Sequence, residues 1–417
     1  MAQPYHLRSA IELLHAILTG KLPADNQMER YFRAHPDMGV RDRGFVAETV
    51  YGCLRQKRVL EHIAGGSPNP SDLVAAYLLT QGSSARVLVD AGYPGDARAL
   101  SERKRTLDKT ALSFGEQANL PDWLAEKLRA QLGDTETLLL AEALNRPAPV
   151  DLRVNTVKAE RAQVQAQLAA EGFPTEPTPY SPVGLRRDDR APLFRTKCFK
   201  DGLFEVQDEG SQLLSFLLEP KRHEMVVDFC AGAGGKTLHL GALMANAGTV
   251  YALDVSARRL EKLKPRLRRA GLNNVRMIAI SHERDARVQR LRGKIDRVLV
   301  DAPCSGTGTL RRNPDIKWRE IDLAELAEAQ QRILVAASEL VRPGGRIVYA
   351  TCSLLREEND DVVEKFLSTH SEFTILPAAE ILARRHIPVT VEEKVLRLYP
   401  HTHKTDGFYA IALEKNS

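Results

Sequence analysis

The sequence lacks the long apolar runs of membrane proteins and the paired cysteines of many secreted ones. No stretch of about 18 consecutive apolar residues occurs in the 417-residue chain, so no transmembrane helix is predicted. Only five cysteines are present, none at CxxC spacing, and the eleven histidines do not cluster with them. Neither a disulfide framework nor a metal site is therefore expected. The N-terminal segment is predicted to belong to a folded helix and not to a signal peptide, and a reduced, cytoplasmic protein is expected.

The overall charge is close to balanced, but its distribution is not. The 59 Lys and Arg residues exceed the 54 Asp and Glu residues by five, which permits binding to nucleic acid without establishing it. Residues 258–292 contain twelve Lys or Arg and only three Asp or Glu. Such a run forms either a solvated helix face or a surface that faces phosphates, and both interpretations stay open.

Apolar periodicity divides the chain into three regions. Residues 1–145 are predicted to form an all-helical domain, because apolar residues recur there every three or four positions in five segments: SAIELLHAILTG, RGFVAETVYGCLRQKRVLEHI, DLVAAYLLTQG, LPDWLAEKLRAQL and TETLLLAEALN. Residues 146–205 begin with a strand, a turn and an amphipathic helix, which predicts a small α+β subdomain.

Residues 206–417 alternate between strand and helix patterns. Helical stretches of 12 residues or more are expected between most of the strands, which are predicted at Met225–Phe229, Thr249–Leu253, Val275–Ala279, Ile295–Asp301, Arg346–Ala350 and Phe408–Leu413. This alternation predicts an α/β fold, a doubly wound and mostly parallel sheet with helices on both faces. Ligands of such sheets bind beyond the carboxyl ends of the strands, at the topological switch point.

A glycine-rich turn follows the first of these strands, in VVDFCAGAGGKTLHL. Asp254 ends the second strand, 22 residues beyond Gly232, where an acidic residue commonly accepts hydrogen bonds from a ribose. A phosphate-binding loop is disfavoured because position 230 is Cys, and the dinucleotide fingerprint fails at Thr237. The turn is therefore either purely structural or a site for a nucleoside without phosphate, such as S-adenosylmethionine.

Two cysteines follow two neighbouring strands. Cys304 lies just past the fourth strand in DAPCSGTG, and Cys352 lies just past the fifth in ATCS. A buried cysteine is usually an inert apolar residue, which is the interpretation for the other three, Cys53, Cys198 and Cys230. Two thiols at adjacent strand ends can face one pocket, which favours a catalytic role for this pair. Asp301, at the end of the fourth strand, either caps a turn or takes part in the chemistry.

The combination of DAPCSGTG with ATCS resembles the RNA cytosine-5 methyltransferases of the Nop/Sun family. Within that family the chain is most similar to the bacterial 16S ribosomal RNA type, which carries a NusB-like helical domain at the N-terminus. The resemblance is strong over about 146–417, where LRVNT, VQDEGSQ and TDGFYAIAL also match, and weaker over the helical region.

The resemblance implies transfer of a methyl group from S-adenosylmethionine to carbon 5 of a cytosine in RNA, through a covalent adduct between a cysteine and carbon 6. Cys352 matches the nucleophile, Cys304 the cysteine that assists release of the methylated RNA, and Asp301 the acid beside the base. Asp285, in SHERDARV, falls near the adenine-side acid, although this stretch departs from the family's GDxR pattern. The remaining cofactor-binding residues implied are Cys230, Ala231, Gly232, Ala233, Gly234, Gly235, Lys236 and Asp254, with Asp301 shared between cofactor and base.

Three other protein classes compete with this interpretation. A DNA cytosine-5 methyltransferase takes its nucleophile from the Pro-Cys motif and has no equivalent of ATCS. A protein or small-molecule methyltransferase has no need of two pocket thiols, and a non-catalytic RNA-binding assembly factor would not need to keep both thiols and the glycine turn. The expected partner is an RNA, ribosomal by resemblance only, with no membrane and no obligate protein partner indicated. The sequence does not identify the target cytosine.

Overall fold

The computed structural model describes residues 3–189 and 191–416, which form two compact units. The first unit comprises Met1–Pro147 and Thr309–Glu320, and the second comprises Ala148–Gly308 and Ile321–Ser417. The three domain ranges 1–145, 146–205 and 206–417 stay a prediction. Thr309–Glu320 lies in the last of these ranges, but its contacts place it in the first unit. Within the described ranges, no helix is both long and apolar enough to cross a membrane.

The first unit is helical, as its apolar periodicity predicts. Its helices in the described part of the chain are α1 Pro4–Thr19, α2 Ala24–Ala34, α3 Val40–Ala64, α4 Pro70–Thr80, α5 Ala85–Asp90, α6 Ala97–Arg105, α7 Phe114–Ala118, α8 Asp122–Leu132 and α9 Asp134–Leu144. The five predicted helical segments are confirmed as α1, α3, α4, α8 and α9. Start signals are local: the side chain of Asn69 accepts hydrogen bonds from the N–H groups of Ser71 and Asp72 and caps α4.

The segment Thr309–Glu320 packs among these helices through buried polar side chains. The amino group of Lys317, which is 1% exposed, donates hydrogen bonds to Arg55 O at 2.9 Å, Asn119 O at 2.8 Å and Asn145 Oδ1 at 2.7 Å. The indole N–H of Trp318 donates to Leu54 O at 2.8 Å. The segment is therefore part of the folded helical unit although it follows the DAPCSGTG motif in sequence.

The second unit begins with a small antiparallel sheet. Its strands, in the spatial order β2-β3-β1-β4, are β1 Val150–Val154, β2 Glu176–Pro177, β3 Gly184–Arg187 and β4 Phe204–Val206, with helices α10 Arg161–Ala170 and α11 Lys197–Lys200. Leu152 and Phe204 share one hydrophobic core with the buried helix α12, Glu209–Leu218, and with the larger sheet. The small sheet is therefore continuous in packing with the larger one.

The larger sheet has eight strands in the described residues, in the order β10-β12-β9-β8-β5-β6-β7, with β11 paired to β12. Its elements are β5 Met225–Asp228, α13 Gly235–Leu243, β6 Thr249–Asp254, α14 Ala257–Glu261, α15 Leu263–Ala270, β7 Val275–Ala279, α16 Ala286–Gln289, β8 Ile295–Asp301, α17 Leu323–Ser338, β9 Val341–Thr351, α18 Asp360–Leu367, β10 Phe373–Leu376, α19 Ala378–Arg384, β11 Val395–Leu398, α20 Pro400–His403 and β12 Phe408–Lys415. The six predicted strands are confirmed to within a few residues, and β10 and β11 were not predicted.

The strand pairing is that of a doubly wound sheet. Strands β5 to β9 pair in parallel, and β12 runs antiparallel to β9. Successive side chains of β8 alternate between two cores: Val298 and Val300 pack on one face, and Leu299 on the other. The chain winds outward from β5 in both directions, so the switch point lies between β5 and β8.

The expectation of long helices between the strands is wrong for most connections. Only α17, with 16 residues, exceeds 12; α13 has 9, α16 has 4, and the β6–β7 connection is split into α14 and α15. Pro265 explains the split, because a proline has no N–H to donate to the carbonyl of Glu261 and its ring crowds that carbonyl. The spacing of apolar residues alone does not predict such a break in a helix.

Candidate active site

A cavity of about 310 Å³ opens at the carboxyl ends of the parallel strands, on both sides of the switch point. Its lining is contributed by the residues that follow β5, β6, β7, β8 and β9, and by one residue of α17: Phe229, Cys230, Asp254, Val255, Arg259, Ile280, Glu283, Asp301, Ala302, Pro303, Cys304, Ile333 and Cys352. Both predicted thiols and two of the three predicted acids therefore share one cavity.

The glycine turn has a conformation that side chains would disrupt. Gly232 and Gly234 have φ angles of +57° and +82°, in the left-handed region. A Cβ on Gly234 would lie 2.2 Å from the side chain of Leu263, the first residue of α15, so this side chain packs directly against the backbone of the turn. Asp254 holds the turn: its carboxylate accepts hydrogen bonds from the N–H groups of Gly232 and Ser256, both at 2.7 Å.

Two arginines to which the sequence assigns no role at the turn support it. Buried Arg153 of β1 donates to Gly235 O at 2.7 Å, and Arg266 of α15 donates to Ala233 O at 2.7 Å. Two carbonyl groups of the turn are thus paired with arginine side chains. Arg153 lies in LRVNT and Arg266 in the basic run, but neither pattern indicates a contact with the turn, because that contact arises only in the tertiary fold.

Lys236 joins the glycine turn to the acid at the end of β8. Its ammonium lies 2.7 Å from Asp301 Oδ2. Burial lowers the pKa of Lys236, but the neighbouring Asp301 carboxylate outweighs burial and raises it overall, so the lysine is charged. Asp228, beneath the turn, accepts a hydrogen bond from Thr237, and burial raises its pKa to about 7.

The two cysteines of the predicted pair are in contact. Cys304 Sγ lies 3.3 Å from Cys352 Sγ, and both side chains are partly exposed in the cavity. The hydrogen bond with Cys352 and burial together raise the pKa of Cys304. Cys53 and Cys198 are buried elsewhere, whereas Cys230 lines the cavity wall and burial raises its pKa. In the described residues, no group of three or more His, Cys, Asp or Glu is arranged to hold a metal ion.

Asp285 has a different environment from the other predicted site residues. It caps α16, and its carboxylate accepts hydrogen bonds from the N–H and hydroxyl of Ser281 at 2.9 Å and from the Arg287 guanidinium at 2.6 Å. The bond to Arg287 lowers the pKa of Asp285 strongly. Asp285 does not line the cavity. The neighbouring acid Glu283 does, and its carboxylate lies 3.5 Å from the guanidinium of Arg332. Binding of the cofactor by Asp285 stays a prediction.

The basic run of residues 258–292 divides into paired and exposed members. Six of the twelve cations form ion pairs: Arg259, Lys264, Arg266, Arg269, Arg287 and Arg292. The other six are exposed and have no acidic partner at ion-pair distance in the described residues: Arg258, Lys262, Arg268, Arg276, Arg284 and Arg290. Any contact with phosphates falls mainly to these six.

Two family models match the chain. The model described as 16S rRNA methyltransferase RsmB/F covers residues 215–414, which include the whole cavity. A model for the ferredoxin-like domain of RsmF/B-like methyltransferases covers residues 120–193.

Individual relatives agree with these models. A probable ribosomal RNA small subunit methyltransferase B of Synechocystis is 33% identical, over 94% of this chain and 95% of its own. A mouse 28S rRNA (cytosine-C(5))-methyltransferase is 34% identical, over 71% of this chain and 39% of its own. The crystal structure of PH0851 superimposes with a TM-score of 0.80 at 28% identity, over 100% of this chain and 99% of that protein.

Proposed function

The chain belongs to the RsmB/F family of 16S ribosomal RNA methyltransferases, and we propose that it methylates carbon 5 of a cytosine in ribosomal RNA through a covalent cysteine adduct. One observation carries the mechanism: two thiols lie 3.3 Å apart in a cavity that also holds Asp254 and Asp301. The mouse relative is named a cytosine-C(5)-methyltransferase, which supports carbon 5 of cytosine as the target atom, and the name of the bacterial relative supports ribosomal RNA as the substrate.

The residues around the glycine turn suit S-adenosylmethionine. Asp254 keeps lone pairs for a ribose diol beyond those used by Gly232 and Ser256, and no cradle for phosphate is needed. Cys230 to Lys236 and Asp301 complete the proposed cofactor contacts, with Asp285 as the further predicted acid. When bound, the cofactor supplies the electrophilic methyl group that carbon 5 receives.

Attack begins at Cys352. Carbon 5 of cytosine is a weak nucleophile, and addition of a thiolate to carbon 6 converts the ring into an enamine whose carbon 5 carries the electron pair. The sulfurs lie 3.3 Å apart, so a protonated thiol on one cysteine can donate a hydrogen bond to a thiolate on the other. The match of Cys352 to the ATCS motif makes it the attacking thiolate and Cys304 the donor, and Asp301, held by Lys236, contacts the base edge.

Release reverses the addition. A base removes the proton from carbon 5, its electron pair restores the double bond between carbons 5 and 6, and the Cys352 sulfur leaves as a thiolate. The Cys304 thiol, 3.3 Å away, stabilises that leaving group by a hydrogen bond. The cytosine must be unpaired or pulled from its stack to reach both sulfurs.

The test compares Cys304→Ala with Cys352→Ala, and uses the double variant as the control. RNA that contains the target site is incubated with each protein and labelled adenosylmethionine, and the products are separated on denaturing gels. Cys304→Ala should methylate once and then stay attached to its RNA as a slow-migrating band. Cys352→Ala and the double variant should give neither methylation nor the band.

Each alternative gives a different pattern. A band with Cys352→Ala instead would reverse the two roles and assign the mechanism of DNA-type enzymes. Methylation without a band in either single variant would refute the covalent mechanism. Mapping of 5-methylcytosine in total RNA, with and without the gene, identifies the target cytosine and separates ribosomal from transfer RNA.

A further inference from the structure

Glu358 is a fully buried carboxylate that contacts both cysteine loops. It ends a short 3-10 turn after β9, and it is 0% exposed. It accepts hydrogen bonds from the backbone N–H of Ser305 at 2.7 Å, from the Ser305 hydroxyl at 2.5 Å and from the Ser353 hydroxyl. Ser305 and Ser353 directly follow Cys304 and Cys352, so one side chain binds both Cys-Ser dipeptides.

The charge of Glu358 is compensated by neutral donors. Gln330 Nε2 provides the fourth hydrogen bond, at 3.0 Å, and the described residues place no cation within ion-pair distance of this carboxylate. A buried carboxylate without a cation is costly, and only a complete set of donors makes it tolerable. An apolar side chain would fill the same volume at lower cost, so packing alone does not account for a carboxylate here.

The two loops are tied together at further points beside Glu358. The N–H of Gly308 donates to Cys352 O at 2.8 Å, and the N–H of Leu354 donates to Thr307 Oγ1 at 2.9 Å. A Cβ on Gly308 would lie 2.8 Å from Cys352 O, so the backbones approach as closely as glycine allows. The hydroxyls of Ser305 and Ser353 lie 3.2 Å from each other, and each lies 3.3 Å from Thr307 Oγ1. Glu358 binds both of these hydroxyls and also the backbone N–H of Ser305, so it holds the residues immediately next to both sulfurs.

We propose that Glu358 is a positioning residue that fixes the two Cys-Ser dipeptides relative to each other, so that both sulfurs meet the same base. This inference rests on the proposed two-cysteine mechanism. Glu358 does not line the cavity, and it acts through Ser305 and Ser353. Attack requires one sulfur in place, whereas release requires both. Loss of Glu358 should therefore impair release more than attack.

The experiment compares Glu358→Gln with Glu209→Gln as the matched control. Glu209 is also 0% exposed and accepts backbone N–H groups, from Tyr180 at 2.6 Å and Ser181 at 2.7 Å, but it is not in contact with either cysteine loop. The rate of one methylation round, the steady-state turnover, the fraction of protein in the covalent band and the affinity for adenosylmethionine are measured for each.

For Glu358→Gln, steady-state turnover should fall by about 10- to 100-fold, because a misplacement of about 1 Å can cost as much as about 100-fold. The first methylation round should slow less, the covalent band should increase, and cofactor affinity should match the parent protein. Glu209→Gln should leave the ratio of the first-round methylation rate to the steady-state turnover at the parent value. If Glu358→Gln does not fold, the Ser305→Ala/Ser353→Ala variant should give the same pattern.

The inference is overturned if Glu358→Gln leaves the ratio of the first-round rate to the steady-state turnover unchanged. Two rates at the parent values would show that Glu358 has no role, and two rates that fall together would show a purely structural role. Failure of the underlying mechanism is recognised separately, in the parent chain. If Cys352→Ala still methylates, the two-cysteine mechanism is wrong. If the cysteine variants behave as proposed and the Glu358→Gln ratio does not change, only the positioning role is wrong.

Discussion

Replacement of Asp254 by alanine tests the cofactor site most directly. The carboxylate has three structural partners, the N–H groups of Gly232 and Ser256 and the guanidinium of Arg259 at 3.7 Å, and the proposed further partner is the ribose of the cofactor. Gly232 is buried, so its N–H has no access to replacement water, whereas Ser256 is partly exposed and can be solvated. The substitution therefore orphans one buried donor in the folded protein and removes the acceptor for the ribose.

The two losses have separate magnitudes. An orphaned buried N–H costs about 1–3 kcal/mol of folding stability. Loss of the hydrogen bonds to the ribose should weaken cofactor binding by about 1–3 kcal/mol, which is roughly 5- to 150-fold in Kd. Calorimetric titration with adenosylmethionine measures the second effect, and urea unfolding of the protein without cofactor measures the first.

Asp296→Ala provides the matched control. Asp296 also accepts a backbone N–H, from Met225 at 2.8 Å, and it pairs with Arg342, but it lies at the opposite end of β8 from the cavity. This variant should lose comparable stability and bind the cofactor with the parent affinity. An Asp254→Ala protein whose Kd equals that of the parent would remove Asp254 from the cofactor site.

Three further predictions concern RNA, stability and pH. Replacement of the six exposed cations by glutamine should weaken RNA binding and lower its salt dependence by about one unit of slope per lost phosphate contact. Unchanged affinity and slope would assign a solvated face. The six are Arg258, Lys262, Arg268, Arg276, Arg284 and Arg290. Lys317→Met should cost at least about 1–3 kcal/mol in urea unfolding, because buried acceptors lose their donor; an unchanged midpoint would contradict this. Burial raises the pKa of Asp228 from 3.8 to about 7, so between these values the folded state binds more protons than the unfolded state. The stability of the parent relative to Asp228→Asn should therefore fall as pH rises through this window and level off above it, and a flat difference would refute the shift.

Much of the fold could be predicted because its signals are local. Buried strands of a parallel sheet read as short apolar runs, and six of them were placed to within a few residues. The two strands of the larger sheet that were not predicted, β10 and β11, have four residues each and pair with β12 in antiparallel fashion. Runs this short carry no distinctive periodicity, and only pairing with β12 makes them strands.

The location of the cavity could be predicted from one geometric rule. Residues that end parallel strands meet at one edge of the sheet, so Asp254, Asp301, Cys304 and Cys352 could be brought together from their places in sequence alone. Asp285 lies outside this rule, because it caps a helix six residues beyond the end of β7. Its distance from a strand end is the reason that its position relative to the cavity could not be read from the sequence.

The sequence by itself determined which segments of the larger sheet become its longer strands, the glycine turn and the two thiols at strand ends. Each of these depends on neighbours only a few positions away. The tertiary structure alone decided which distant side chains hold them: Arg153 and Arg266 on the turn, Lys236 on Asp301, and Glu358 between the cysteine loops. It also decided that Thr309–Glu320 packs with the helical unit, where the amino group of Lys317 binds acceptors 172 to 262 positions earlier in the chain. Such contacts leave no periodic trace in a single sequence, since each depends on two segments that meet only when the chain folds.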